Sequence, residues 1–348
     1  MRKRITVVLT VAIAFLLALH SPRRAECAGK PNVLTTHTVL KSITETIGKD
    51  HVSVSCLSTG KEDPHAISAK PSYMVSARKA DLFIKMGMEL EIGYEQLIVD
   101  GARNYKIRYG QPGYLDVSLD VLRREVPTTR IDRSLGDVHP LGNPHYWMDP
   151  YNARIMAHTI ANKLAELDPQ NTAYYTANSA DFVRRVDEAM FGKSLVEQLG
   201  GDKLWSLDLS GKLDSYLIEK GLNGNTGGWY AQLKPLGGTE VITYHRSWVY
   251  FTDRFNLKIA SELEPKPGIP PSPSHLLGVV QTASQRKVKV ILMEPFYDPR
   301  AAEFVALKTG AKVVEIANAV NGWPGVTDYF SLIDNAVGKI RQAILGAA

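Results

Sequence analysis

Gly142-Asn143-Pro144-His145-Tyr146-Trp147-Met148-Asp149-Pro150 sets one histidine between two prolines, backs it with two aromatic rings and closes on an Asp-Pro step. Proline fixes its own φ and pushes the residue before it toward extended geometry, so the run reads as a stiff, non-helical loop that holds His145 in one place. Asp149-Pro150 reads at the same time as an N-cap with proline in the first turn, opening a helix near Tyr151. The stretch divides the chain: short β-branched runs alternate with amphipathic ones before it, and a long helix-compatible region follows.

Upstream, Asn32–Thr36, Val52–Leu57 and Ala80–Met86 read as strands, and Val39–Ile47, Pro71–Lys79 and Glu89–Val99 as helices. Repeated β-α-β implies a mostly parallel sheet with helices on both faces. Between Asn152 and Leu199 apolar residues recur at helical spacing, with Pro169 as punctuation capped by Asp168. This predicts a long helix that runs the height of two lobes; two ordinary core helices are the other reading of the same pattern. Leu204–Pro235, with Gly224, Gly227 and Gly228, has the weakest pattern in the chain and reads as an elaborated loop. From Thr239 the alternation resumes, with strands at Glu240–Tyr244, Lys258–Glu262, Val288–Met293 and Lys312–Ile316, and helices at Trp248–Phe255, Ser274–Arg286, Ala301–Lys308 and Tyr329–Leu345. The expected fold class is α/β, with two lobes, each a mostly parallel sheet with flanking helices, joined by one long helix. The expected boundaries are 1–27 for a signal peptide, 28–150 for the N-terminal lobe, 151–199 for the linking helix region and 200–348 for the C-terminal lobe.

The signal peptide rests on Arg2, Lys3 and Arg4 ahead of an apolar run from Ile5 to Leu19, ended by Ser21-Pro22-Arg23-Arg24. The run is short of the roughly 20 residues that span a bilayer. Ala25-Glu26-Cys27 before Ala28 is the nearest approach to a cleavage site, and Glu26 stands where a lipoprotein signal wants a small residue, so a lipid anchor on Cys27 is not expected. The formal charge of +5 misleads about partners. Five basic side chains and one acid lie within residues 1–27, which leaves the remainder near +1 and gives no argument for nucleic acid or an anionic membrane. Without Cys27, Cys56 has no cysteine to pair with, and the core must hold the fold. No GxxxxGK[ST] and no strand-linked GxGxxG is present, so nucleotide binding has no support.

Nine histidines are the chemistry carriers. His20 goes with the signal; His51, His158 and His275 read as surface or cap histidines, and His37, between the first strand and its helix, as a cap. His65 follows Asp63-Pro64, His145 follows Asn143-Pro144, and His245 follows the strand Val241–Tyr244. All three sit in loops. The strand Val290–Met293 runs into Glu294-Pro295-Phe296-Tyr297-Asp298-Pro299, two carboxylates at a strand end. In open α/β sheets ligands collect beyond the carboxyl ends of strands, so these loops converge on the crevice between lobes. Three imidazoles and a carboxylate make an N₃O set of the kind that binds Zn²⁺ in tetrahedral geometry. Ligands this far apart in sequence meet only through the fold.

Asp63-Pro64-His65 with Lys70-Pro71-Ser72, then Asn143–Pro150, then Tyr244-His245-Arg246-Ser247-Trp248-Val249-Tyr250-Phe251 with Arg254-Phe255, then Glu294 with Asp298, resemble in order the metal-binding solute receptors of zinc and manganese ABC transporters. The resemblance spans nearly the whole chain after the signal. It implies two α/β lobes joined by a long helix, a metal bound between them, and His65, His145, His245 and Asp298 as its ligands. It implies a soluble, monomeric, periplasmic binding protein rather than an enzyme, with a membrane permease as partner and periplasmic metallochaperones as further candidate partners. Manganese-type members commonly carry glutamate in place of the third histidine, so His245 favours Zn²⁺ as the transported ligand. The same fold carrying Mn²⁺ or Fe²⁺ is the alternative; an exported zinc hydrolase, with Glu294 or Glu264 as general base, is the rival from another class. The segment Ser134–Gly142 has a single histidine, His139, where zinc receptors of this kind often carry a His/Asp-rich loop; His139 reads as incidental, with a single transient metal donor as the other reading. Glu264, in a stiff proline-rich loop after a strand, is either an acceptor behind a ligand imidazole or a solvated acid.

Overall fold

Four short parallel strands open the structure, a computed structural model that describes residues 29–129, 136 and 139–346. The signal peptide read at 1–27, with Cys27, lies outside the described residues. β1 (Asn32–Thr35), α1 (Thr38–Gly48), β2 (Ser53–Cys56), α2 (Pro71–Lys79), β3 (Leu82–Lys85), α3 (Glu95–Ala102) and β4 (Tyr114–Asp116) form the first lobe, with strand order β2-β1-β3-β4. Val33, Leu34, Leu82, Phe83 and Ile84 are buried without alternation, as a sheet covered on both faces requires. The helix expected from Glu89 starts only at Glu95. Met88 and Glu89 take positive φ, and Glu91 turns its carboxylate back onto the backbone N–H groups of Met86 and Gly87, at 2.7 and 3.0 Å. A side chain that caps a strand end in this way competes with helix formation.

The linking region contains α4 (Pro150–Leu167), α5 (Thr172–Phe191) and α6 (Lys193–Leu199). Asp149 accepts from the Tyr151 N–H at 2.9 Å and Pro150 takes the first turn of α4, as the sequence predicts. The chain breaks at Asp168-Pro169, and α5 carries the long span: its 20 residues are about 30 Å of helix. Toward one end Asn178 donates to the Ile47 carbonyl at the end of α1; at the other the Phe191 carbonyl accepts from Gly227 N–H, 2.9 Å in each case. Residues 200–235 are not a loop. They fold into α7 (Gly201–Leu209), α8 (Leu213–Glu219) and α9 (Gly228–Leu233), and bury Leu204, Trp205, Leu213, Leu217, Trp229 and Leu233. The glycines that obscured this pattern are junctions: Gly228 has φ +60°, and a Cβ there would stand 2.0 Å from the Ala189 carbonyl oxygen.

The second lobe repeats the first. β5 (Glu240–Thr243), α10 (Val249–Arg254), β6 (Lys258–Glu262), α11 (Pro273–Arg286), β7 (Val290–Met293), α12 (Arg300–Thr309), β8 (Lys312–Glu315) and the terminal α13 (Tyr329–Gly346) give strand order β6-β5-β7-β8, again parallel throughout. In each sheet the order reverses at the strand pair β1/β3 or β5/β7, the switch point where such sheets open a crevice at their carboxyl ends.

Each lobe keeps a separate outer core, around Phe83, Tyr94 and Ile98 in the first and Ile242, Leu263 and Ile291 in the second. A third cluster runs continuously from Val39 and Ile43 through Trp147 and Val186 to Trp248 and Tyr329, and so joins the lobes with apolar surface. Polar bonds cross the same junction. Trp147 Nε1 donates to the Asn318 carbonyl at 2.7 Å, the Tyr250 hydroxyl to the Asn143 carbonyl at 2.7 Å, and Arg254 grips Asp149 through two bonds of 2.8 and 2.7 Å while also pairing with Asp208. Arg254 and Asp149 are buried, and removing one partner of such a pair strands the other charge. Arg254→Ala is expected to cost about 3–5 kcal/mol in denaturant unfolding, and Arg254→Lys to recover only part of it, since one ammonium does not reproduce a forked contact.

Candidate metal site

His65, His145 and His245 arrive from three separate loops and meet. One ring nitrogen from each lies within 4.8 Å of the other two. His65 sits in the single 3-10 turn Pro64–Ala66, which Asp63 caps by accepting from the His65 N–H at 2.9 Å. His145 is held by Asn143, whose Oδ1 accepts from both the His145 backbone N–H and Nδ1–H at 2.9 Å, leaving Nε2 free to ligate. His245 follows β5 directly, and its Nδ1 is 2.7 Å from Glu264 Oε2. Glu264 is itself in position because the β5/β6 pairing continues past both strands: Leu263 N–H bonds the Thr243 carbonyl and Glu264 N–H that of Tyr244. The acid read as either acceptor or solvated is therefore the acceptor behind the third imidazole, which fixes its tautomer and raises its basicity as a ligand.

His65 Nε2 and His145 Nε2 are 3.2 Å apart. Two nitrogens each about 2.0–2.1 Å from a tetrahedral ion stand roughly 3.3 Å from one another, so the spacing fits a shared cation. Electrostatics prepare the same role. Burial, then the charges of neighbouring imidazoles, holds the pKa of His65 and His145 well below the ordinary value, so both offer free lone pairs at neutral pH. His245 is opposite in sign: burial opposes its protonation, but the hydrogen bond and charge of Glu264 outweigh it and leave the pKa raised. His145 and His245, with Asn143, Pro144, Arg246 and Pro267, line a cavity of about 30 Å³. That admits an ion, whereas organic ligands occupy pockets of about 300–1,000 Å³.

Asp298 does not join the three histidines. Its carboxylate is exposed, bonds Arg300 N–H and Nε at 3.0 and 2.9 Å, and is drawn down to about 2 by Arg300. The reason is local: after Glu294 the chain turns, with Tyr297 N–H on the Glu294 carbonyl, and by Asp298 it has left the sheet to start α12. Glu294 stays behind at the end of β7, fully buried, with no donor aligned on either carboxylate oxygen among the described residues. Burial pushes its carboxyl up to about 7, against the pull of the nearby Ser247 hydroxyl and His245. His37 is the cap expected: its Nδ1 accepts from Val39 N–H and its ring packs on Trp147 at 4.5 Å. His139, read as incidental, stacks on His65 with ring centroids 5.2 Å apart.

The model of the family described as zinc-uptake complex component A periplasmic (ZnuA) matches residues 33–190 and 219–343. The chain belongs to this family. It is a metal-binding solute-binding protein of the ABC-transporter kind, and the relatives it resembles are named for different metals. The iron-binding protein YfeA of Yersinia pestis is 24% identical over 343 residues, covering 97% of this chain and 94% of YfeA. The manganese ABC transporter substrate-binding lipoprotein scaA of Streptococcus gordonii is 23% identical over 348 residues, 98% of each chain. Among solved structures, a crystal structure of ZnuA superposes with a TM-score of 0.66 at 22% identity, over 90% of this chain and 98% of that one. A Mn-bound periplasmic metal binding protein from Candidatus Liberibacter asiaticus gives 0.63 at 22%, over 90% and 99%. Both likenesses confirm the two-lobe α/β fold. The stretch that the family model passes over, 191–218, holds α6, α7 and most of α8.

Glu264→Gln is expected to weaken metal affinity by about 10–100-fold at pH 8. It also removes the charge that raises the His245 pKa, so the fall in affinity on acidification should begin at a lower pH in the variant than in the wild type; titrations of metal binding between pH 5 and 8 check both.

Proposed function

We propose that this protein is an extracytoplasmic Zn²⁺ receptor that binds the ion between its lobes through His65, His145 and His245 and presents it to the permease of an ABC importer. The observation that carries the reading is the convergence of three imidazole nitrogens at the facing carboxyl ends of two parallel sheets. Neutral nitrogen donors suit Zn²⁺, whereas Mn²⁺ is best served by oxygen donors and lies at the weak end of the divalent series. The relatives named for iron and manganese keep those cargoes in play, and His245 is the residue that argues against them. A hydrolase needs room for a substrate beside the metal, and about 30 Å³ does not supply it. Among the described residues no helix is long and apolar enough to cross a membrane.

Titration of the chain lacking residues 1–27 with Zn²⁺, read by metal analysis after desalting, is expected to give one equivalent, lost in His145→Ala. In direct competition Zn²⁺ should displace Mn²⁺. A protein with no stoichiometric site would refute the reading, and one that holds Mn²⁺ against equimolar Zn²⁺ would move it to the manganese cargo.

A further inference from the structure

A cavity of about 320 Å³ lies where α7, α8, α9 and the end of α10 meet Arg124 of the first lobe. The hollow at the histidines measures about 30 Å³. The larger one falls within the range of pockets that hold organic ligands, about 300–1,000 Å³. Asp208, Leu213 and Asp214 of its lining lie within 191–218, the stretch that the family model passes over, and no histidine lines it.

Its charged lining is balanced, with Arg124, Lys234 and Arg254 against Asp208, Asp214 and Asp253. A ligand of either net charge would upset that balance, and a purely apolar one would leave charged groups facing hydrocarbon. A zwitterion does neither. Both signs have capacity left for one. Arg254 takes Asp208 through Oδ2, and Lys234 and the Tyr230 hydroxyl both take Asp214 through Oδ1; among the described residues no donor is bonded to Asp208 Oδ1 or Asp214 Oδ2. Burial pushes the Asp208 carboxyl up from its ordinary value against the pull of Arg254, and the charges of Asp149 and Asp214 add to the push, so a further cation beside it is favoured. Arg124 pairs with Asp253 through Nη2 at 2.6 Å, is half-exposed, and has a guanidinium whose fork can hold a second carboxylate. Leu213 and Phe255, both buried, give the lining an apolar part.

We propose that this cavity is a second ligand site, which binds a free amino acid as its zwitterion: the ammonium on Asp208 and Asp214, the carboxylate on Arg124, and the side chain against Leu213 and Phe255. A ligand so placed touches the first lobe, the helices of the link and the second lobe at once. Arg254, in the same lining, also holds Asp149 at the start of α4.

The test takes the metal-free chain lacking residues 1–27, adds each of the twenty L-amino acids in turn, and follows the melting temperature; the amino acid that raises it most is then titrated by calorimetry. At least one is expected to raise the melting temperature in proportion to the logarithm of its concentration. Its decarboxylated amine and its deaminated acid should each bind at least about tenfold more weakly, since each lacks one charge-assisted contact. Asp214→Asn and Arg124→Gln should each lose about tenfold or more in affinity for the amino acid. Without ligand both variants should melt close to wild type, because half-exposed ion pairs contribute little to stability. A panel in which no amino acid raises the melting temperature, an amine or acid analogue that binds as tightly as its parent, or wild-type affinity in both variants would each overturn the proposal. The measurement uses no metal, so its outcome leaves the receptor reading to the Zn²⁺ titration.

Discussion

Three imidazoles packed within 4.8 Å of one another in a buried crevice can coexist only while most of their positive charge is withheld, and much of the structure serves that constraint. Burial and mutual repulsion hold His65 and His145 in their neutral, metal-ready form. Glu264 gives His245 the opposite bias and in doing so orients it. A cation brought to this point removes the conflict by replacing protons that the site resists. The loops that carry the rings are correspondingly rigid: prolines precede His65 and His145, and Asp63 and Asn143 bond the backbone N–H of those same histidines. Rigidity of this kind lowers the ordering cost of binding.

The fold delivers the constraint by using one strand order twice. With β2-β1-β3-β4 in one lobe and β6-β5-β7-β8 in the other, both switch points open at carboxyl ends, and one apolar cluster that includes Trp147 and Trp248 joins the lobes. The segment Asn143–Pro150 belongs to both halves. It carries His145, starts α4 through Asp149-Pro150, and is gripped from the second lobe by Tyr250, Arg254 and Asn318. His65, by contrast, is the least enclosed of the three histidines.

The sequence made His65, His145 and His245 legible because each stands beside a proline or at the end of a β-branched run, where a side chain has a fixed place in the fold. The two α/β lobes were legible for the same reason, since short apolar runs alternating with amphipathic ones leave few topologies. What the sequence hides is direction. Glu294 and Asp298 are both acids near a strand end, and only the turn at Tyr297 shows that one stays in the crevice while the other swings out to Arg300. Glu91 is hidden likewise: its periodicity suits a helix, but its carboxylate is taken by the backbone of Met86 and Gly87. The helices of 200–235 were masked by glycines that serve as junctions, and β4, at three residues, is too short for a pattern.

The most direct measurement is anomalous diffraction from crystals of the Zn²⁺-loaded protein, collected on both sides of the zinc absorption edge. The expected result is a single fully occupied ion with one ring nitrogen each of His65, His145 and His245 at about 2.0–2.1 Å. An ion bound elsewhere on the chain, or one that leaves any of the three imidazoles outside its coordination sphere, would contradict the proposed site.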